Sequence, residues 1–151
     1  MKLDWNAELI LSVRILFAAL LGGIIGWERE NHDRDAGVRT YMAVAVGACA
    51  FSIISNHVPG ETTRIASQVV AGMGFIGAGV ILQVKRRVQG LTTAATLWAT
   101  AAVGMASAFG MYLLSGLTAL IILGTLSLHH VPGWAKFVKK HHAPIDVSKD
   151  D

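Results

Sequence analysis

Five stretches of apolar residues divide the chain. They cover residues 9–27, 40–57, 65–83, 92–109 and 111–128, and none contains an Asp or Glu. The prolines Pro59, Pro132 and Pro144 all lie outside them. A spanning helix needs about 20 largely apolar residues, within a range of about 17–25, so each stretch predicts a span. Only Gly110 separates the last two. Joined, they would make a helix of about 37 residues, nearly twice what a bilayer accommodates at about 1.5 Å per residue. A tight helical hairpin around Phe109, Gly110 and Met111 is the better reading. The pattern predicts an all-α integral membrane protein, a bundle of about five transmembrane helices in residues 1–128, followed by a basic tail over residues 129–151.

Composition sharpens this. The chain is 53% apolar and only 15% charged, against about 45–50% and about 25% for soluble domains. A small soluble domain has much surface to cover and needs more charge than this, so a free-standing soluble enzyme is not expected. Disorder is excluded, because it requires low hydrophobicity. No small-residue cleavage site follows the first run, which ends at Gly26-Trp27-Glu28-Arg29. That run is expected to be a retained span rather than a signal peptide. Cys49 is the only cysteine and reads as a small buried hydrophobe.

The net charge is +3, but the basic residues cluster between apolar runs rather than forming a nucleic-acid patch. Arg29, Arg34 and Arg39 follow the first run. Lys85, Arg86 and Arg87 follow the third. Lys136, Lys139, Lys140 and Lys149 follow the fifth. Lys2 and Arg64 fall on the other side. The positive-inside rule then predicts an external N-terminus and a cytoplasmic C-terminus. In the tail, Pro132-Gly133-Trp134 reads as an interfacial stop, and Lys136, Lys139 and Lys140 can meet anionic lipid.

Membrane helices associate through close packing and hydrogen bonds, so small and polar residues mark contact faces. Gly22 and Gly26 form a GxxxG in the first run. In the third, Gln68, Gly72, Gly79 and Gln83 share one face, and Gly74 and Gly77 point the other way. Glycine on two faces predicts a helix packed on both sides, at the centre of the bundle. An alternative is that its carbonyls and amides line a polar path. In the fourth run Thr93, Thr96, Thr100, Gly104 and Ser107 fall within an arc of about 80°. That arc is expected to face the third helix or a hydrated cavity, with Thr92 or Thr93 capping the helix start. Arg14 is the lone ionised residue within a span. It either snorkels outward toward Asp4, Glu8 or Glu61, or turns inward, where the Gln68 amide is its expected acceptor.

The loop over residues 28–39 holds four acids and three arginines. Its carboxylates could hold a hydrated Mg²⁺, or pair with the arginines as a solvated loop. The pairs His129-His130 and His141-His142 lack the accompanying ligands of a metal site. No nucleophile-and-base pair, HExxH or phosphate-binding glycine loop is present. No enzymatic activity and no cofactor are expected.

The phrases Gly26-Trp-Glu-Arg-Glu30, Ala36-Gly-Val-Arg-Thr40, the run from Gln68 to Leu82, and Gly90-Leu-Thr-Thr-Ala-Ala-Thr-Leu-Trp98 occur in this order and spacing. Together they resemble the MgtC/SapB family of bacterial inner-membrane proteins, from about Arg14 to about Gly110. The resemblance implies a five-span bundle and a link to growth at low magnesium. In virulence members it implies regulation through binding to other membrane proteins, including the ATP synthase. Those members carry an ACT-like domain after the last span; this chain is expected to be a short form, so the virulence role is not carried over. The positions matching the shared motifs are Arg14, Glu28, Arg29, Glu30, Arg39, Thr40, Gln68, Gly72, Gly77 and Thr93. The function expected is a regulatory or interaction protein of ion homeostasis, homo-oligomeric or bound to another membrane protein. The alternative is a small ion carrier or channel, for Mg²⁺ among others, lined by Arg14, Gln68, Thr93, Thr96 and Thr100.

Overall fold

The computed structural model describes residues 4–34, 36–59, 63–84 and 87–128. The helices are α1 (Trp5–Glu30), α2 (Val38–His57), α3 (Arg64–Val80), α4 (Leu91–Ala108) and α5 (Tyr112–Ser127). Every apolar run has become a helix, so the chain is an all-α membrane bundle. By length and composition α1 and α2 are long and apolar enough to cross a membrane; α3 and α5 are shorter apolar helices. At about 1.5 Å per residue the 16 to 18 residues of α3, α4 and α5 give about 24–27 Å. Leu9, Leu16, Leu20, Phe75, Leu113 and Leu120 are all exposed, which suits a lipid solvent.

Two boundaries depart from the hydropathy. The first helix runs four residues earlier and three later than its apolar run, because Trp5 to Glu8 and Glu28 to Glu30 continue it past the slab. The third helix stops at Val80 instead of reaching Gln83. Leu82–Val84 (β1) and Arg87–Gln89 (β2) pair antiparallel, with Gln83 opposite Val88. Gly90 closes this ribbon at φ +85, and a Cβ there would strike the Val80 carbonyl. Only glycine suits that position. Gly90 is also the N-cap of α4, with no side-chain cap bond, so neither Thr92 nor Thr93 caps the helix as expected. At the other end Gly110 turns the α4–α5 hairpin at φ +73, where the hydropathy pattern breaks.

The centre of the bundle is α4, not α3. Eleven of the 18 residues of α4 are buried, against Ala66, Met73 and Gly77 alone in α3. The reason is side-chain size on more than one face. The Ala, Thr, Ser and Gly residues around α4 let α1, α2, α3 and α5 all approach it. By contrast α3 touches its neighbours along one stripe, with Gly77 opposite Ala94. At its other glycines, Gly72, Gly74 and Gly79, a Cβ would find no atom of another element within 4 Å among the described residues. These three do not pack inside the chain, contrary to the two-sided packing expected.

Helix α1 lies against α2 through the GxxxG. A Cβ on Gly22 would fall 2.7 Å from the Ala45 Cβ, and one on Gly26 2.6 Å from the Val38 Cα. The partner of that motif is therefore α2 of the same chain. Gly104 of α4 sits equally tightly on the Ala45 carbonyl. Phe17 and Tyr112 meet edge to face at 5.3 Å and tie α1 to α5.

Candidate functional site

A helix buried among apolar neighbours must satisfy its polar side chains internally. In α4 the threonine arc does so. Thr96 Oγ1 donates to the Thr92 and Thr93 carbonyls at 2.9 and 3.1 Å, and Thr100 Oγ1 to the Thr96 carbonyl at 2.8 Å. Thr93, Thr96, Thr100 and Ser107 are all buried. The arc faces α2 and α5 rather than α3. Tyr41 of α2 is hydrogen-bonded to Thr96 Oγ1 at 2.5 Å, and Ser107 to Ser115 of α5 at 2.9 Å. Ser115 also donates to the Val103 carbonyl. Sequence reasoning passed over Tyr41 and Ser115. The signal was available, since a phenol or hydroxyl at membrane depth needs a partner.

The bonds place the connections. Tyr41 begins α2 and Thr96 lies in the second turn of α4, so the loop after α1 and the ribbon before α4 lie at one end of the bundle. The hairpin at Gly110 lies at the other. At the first end the loop motif residues converge. Arg29 is only 5% exposed, and its Nη1 lies 3.9 Å from Glu28 Oε2. Among the described residues its Nε and that carboxylate oxygen have no hydrogen-bond partner. His32 Nδ1 donates to the Glu28 carbonyl at 2.7 Å and lies 3.3 Å from Glu28 Oε1. The Val38 N–H donates to Glu30 Oε2 at 3.0 Å. Glu30 thus caps α2 from eight residues upstream, where its charge complements the helix dipole. A polar pocket of about 510 Å³ lies beside it, lined by Glu30, Arg34, Gly37, Arg39 and Thr40. Among the described residues no three His, Cys, Asp or Glu side chains cluster as a metal site. The His pairs at 129–130 and 141–142, and the rest of the basic tail, lie outside the described residues.

At the second end Arg14 turns inward, but not to Gln68. Its Nη1 donates to the Ala108 carbonyl at 2.6 Å. Gln68 is exposed on α3, and α1 makes its contacts with α2, α4 and α5. The acceptor the sequence could not reveal is a backbone one. The last turn of α4 leaves its carbonyls without intrahelical donors. Phe109, Gly110 and Met111 N–H groups reach those of Met105, Ser107 and Ala106, and Arg14 reaches Ala108. Arg14, Gln68 and the threonine arc therefore occupy three separate places.

The profile of the MgtC family matches residues 15–131. The chain belongs to the MgtC family. It is 39% identical, over 94% of its own length and 70% of the relative's, to YhiD of Escherichia coli (strain K12), whose name proposes it as a magnesium transporter. It is 51% identical to the protein MgtC of Brucella abortus (strain 2308), over 62% of this chain and 40% of that one. With the protein MgtC of Salmonella paratyphi A it shares 36% identity over 92% of this chain and 64% of the relative. No solved structure matches. Membership makes the exposed apolar belt a lipid-facing surface.

Proposed function

We propose that this MgtC-family protein is a non-catalytic regulatory protein of bacterial ion homeostasis, linked to magnesium, that acts through helix–helix contacts in the inner membrane. The observation that carries this reading is the open face of α3. Among the described residues a Cβ on Gly72 or Gly79 would meet nothing within 4 Å, and Gln68 beside them is exposed. Glycines let a second helix approach closely, and an amide at membrane depth favours a polar partner there. The occupant proposed is a second copy of the chain or another membrane protein. Transport, the reading that the name of YhiD favours, needs a polar route. The separation of Arg14, Gln68 and the α4 threonines counts toward the interaction reading, as do the internal hydrogen bonds of that arc. In this reading all five helices cross the membrane, with the N-terminus outside and the arginine-bearing α1–α2 loop, the ribbon and the tail in the cytoplasm. Purified protein in liposomes decides between the two. Flux of Mg²⁺, K⁺ or protons no greater than in empty vesicles is expected. A cysteine placed at Gly72 or Gly79 should then cross-link to a neighbour in native membranes. Protein-dependent flux would overturn the proposal.

A further inference from the structure

Beyond the polar pocket on the α1–α2 connection, the same two helices form an apolar groove. It measures about 460 Å³ and runs between α1 and α2 from Leu16 to Trp27, with Val38 and Met42 on its other wall. Its floor is low because Ala19 and Gly23 stand there; a Cβ on Gly23 would already touch the Met42 methyl at 3.1 Å. From Leu16 to Trp27 the groove extends about 16 Å along the helix at about 1.5 Å per residue. That is about half of a hydrocarbon core of about 30 Å, the depth of one leaflet. It ends at Trp27 and Val38, and the next residues of the chain on either side of Val38, Gly37 and Arg39, line the polar pocket.

That pocket carries a net positive charge, two arginines against the one carboxylate of Glu30. Glu30 is engaged by the Val38 N–H at the start of α2. Arg34 and Arg39 are exposed, and among the described residues neither makes a side-chain hydrogen bond or ion pair. A guanidinium binds phosphate through parallel hydrogen bonds. Thr40 adds a hydroxyl at the same pocket. Trp27, 63% exposed where groove and pocket meet, has the amphipathic ring that settles at headgroup depth. We infer that this groove and pocket together bind an anionic phospholipid, with an acyl chain between α1 and α2 and its phosphate on Arg34 and Arg39. The occupant is a lipid rather than free phosphate because the apolar half is nearly as large as the polar half and runs to leaflet depth.

The test is lipid retention by the full-length protein after detergent extraction, read by native mass spectrometry. Wild type should hold phosphatidylglycerol in preference to phosphatidylcholine. The double variant R34Q/R39Q should lose retention by about fivefold per arginine, the effect of about 1 kcal/mol for each basic residue at an anionic surface. Both arginines are exposed, so the variant should fold. Ala19→Phe, which fills the groove floor, should lower retention as well. A second measurement guards against its misfolding: phosphatidylglycerol brominated on its chains should quench a fluorescence component that Trp27→Phe removes. Equal retention of the two lipids, undiminished binding in R34Q/R39Q, or displacement by soluble glycerol phosphate at lipid-like concentrations would each overturn the inference.

Discussion

The guanidinium of Arg14 donates to the carbonyl of Ala108 at 2.6 Å, joining the first half of α1 to the last turn of α4. The Gly110 turn closes over it, and a Cβ there would lie 3.3 Å from Arg14 Nη2. An arginine in a span is costly. Here its charge meets the negative end of a helix dipole and a carbonyl of the last turn, which offsets part of that cost, while its Nε has no hydrogen-bond partner among the described residues.

Arg14→Ala is therefore expected to lower thermal stability in detergent while leaving membrane insertion undiminished, since it removes a charge from the span. An unmet buried carbonyl costs about 1–3 kcal/mol. Arg14→Lys should recover part of the loss, because a single ammonium can reach one carbonyl without the planar fork. An unchanged melting temperature in Arg14→Ala would show that the bond contributes nothing.

Tyr41 and Thr96 should respond asymmetrically. Tyr41→Phe removes one hydroxyl, and Thr96 Oγ1 keeps its carbonyls at Thr92 and Thr93. Thr96→Val instead takes from the buried phenol of Tyr41 the hydroxyl that joins it to α4. Interhelical hydrogen bonds in membranes are worth about 0.6 kcal/mol on average, with a maximum near ~1.7. Tyr41→Phe should cost within that range and Thr96→Val more, with positive coupling in the double-mutant cycle. Equal single effects and no coupling would mean the two helices do not depend on this contact.

Much of this architecture was legible in hydropathy alone. Apolar runs of spanning length fix helices, and Gly110 marked the hairpin because no long helix could continue through it. What hydropathy does not encode is which helix stands in the middle. Glycine in α3 and alanine, serine and threonine in α4 both permit close approach, and only three-dimensional packing shows that α4 uses its small residues on several sides. The partner of Arg14 was hidden for a different reason. Every residue carries a carbonyl, so a backbone acceptor has no sequence signature. Glu28, Arg29, Glu30, Arg39 and Thr40, by contrast, lie within 13 consecutive positions, and their convergence at one end of the bundle follows from the short loop.

Topology provides an independent check. With Tyr41 beside Thr96, the α1–α2 loop and the β1–β2 ribbon share one end of the bundle, and this end carries Arg29, Arg34, Arg39 and Arg87. A reporter inserted at Val58 or Pro59 should behave as external. One fused after Lys140 should behave as cytoplasmic. If the two report the same side, an even number of spans separates them and the five-span reading fails.

The glycines divide into two classes, and leucine substitution should separate them. Gly22 and Gly26 hold α1 against α2, and a Cβ alone would fall within 2.7 Å of Ala45 or Val38. Backbone and neighbouring Cβ atoms cannot swing aside as a flexible side chain would. Forcing larger groups into a packed contact costs about 1–3 kcal/mol, and more where helices must part. Gly22→Leu and Gly26→Leu should therefore reduce the yield of folded monomer and its melting temperature. Gly104→Ala should do the same, because its Cβ would meet the Ala45 carbonyl. Gly72→Leu and Gly79→Leu meet open space among the described residues of the single chain. Their monomers should melt as wild type does, and the defect should appear only in cross-linking or co-purification. Loss of monomer stability in Gly72→Leu would mean that α3 packs against its own chain on that face, leaving no face free for a partner.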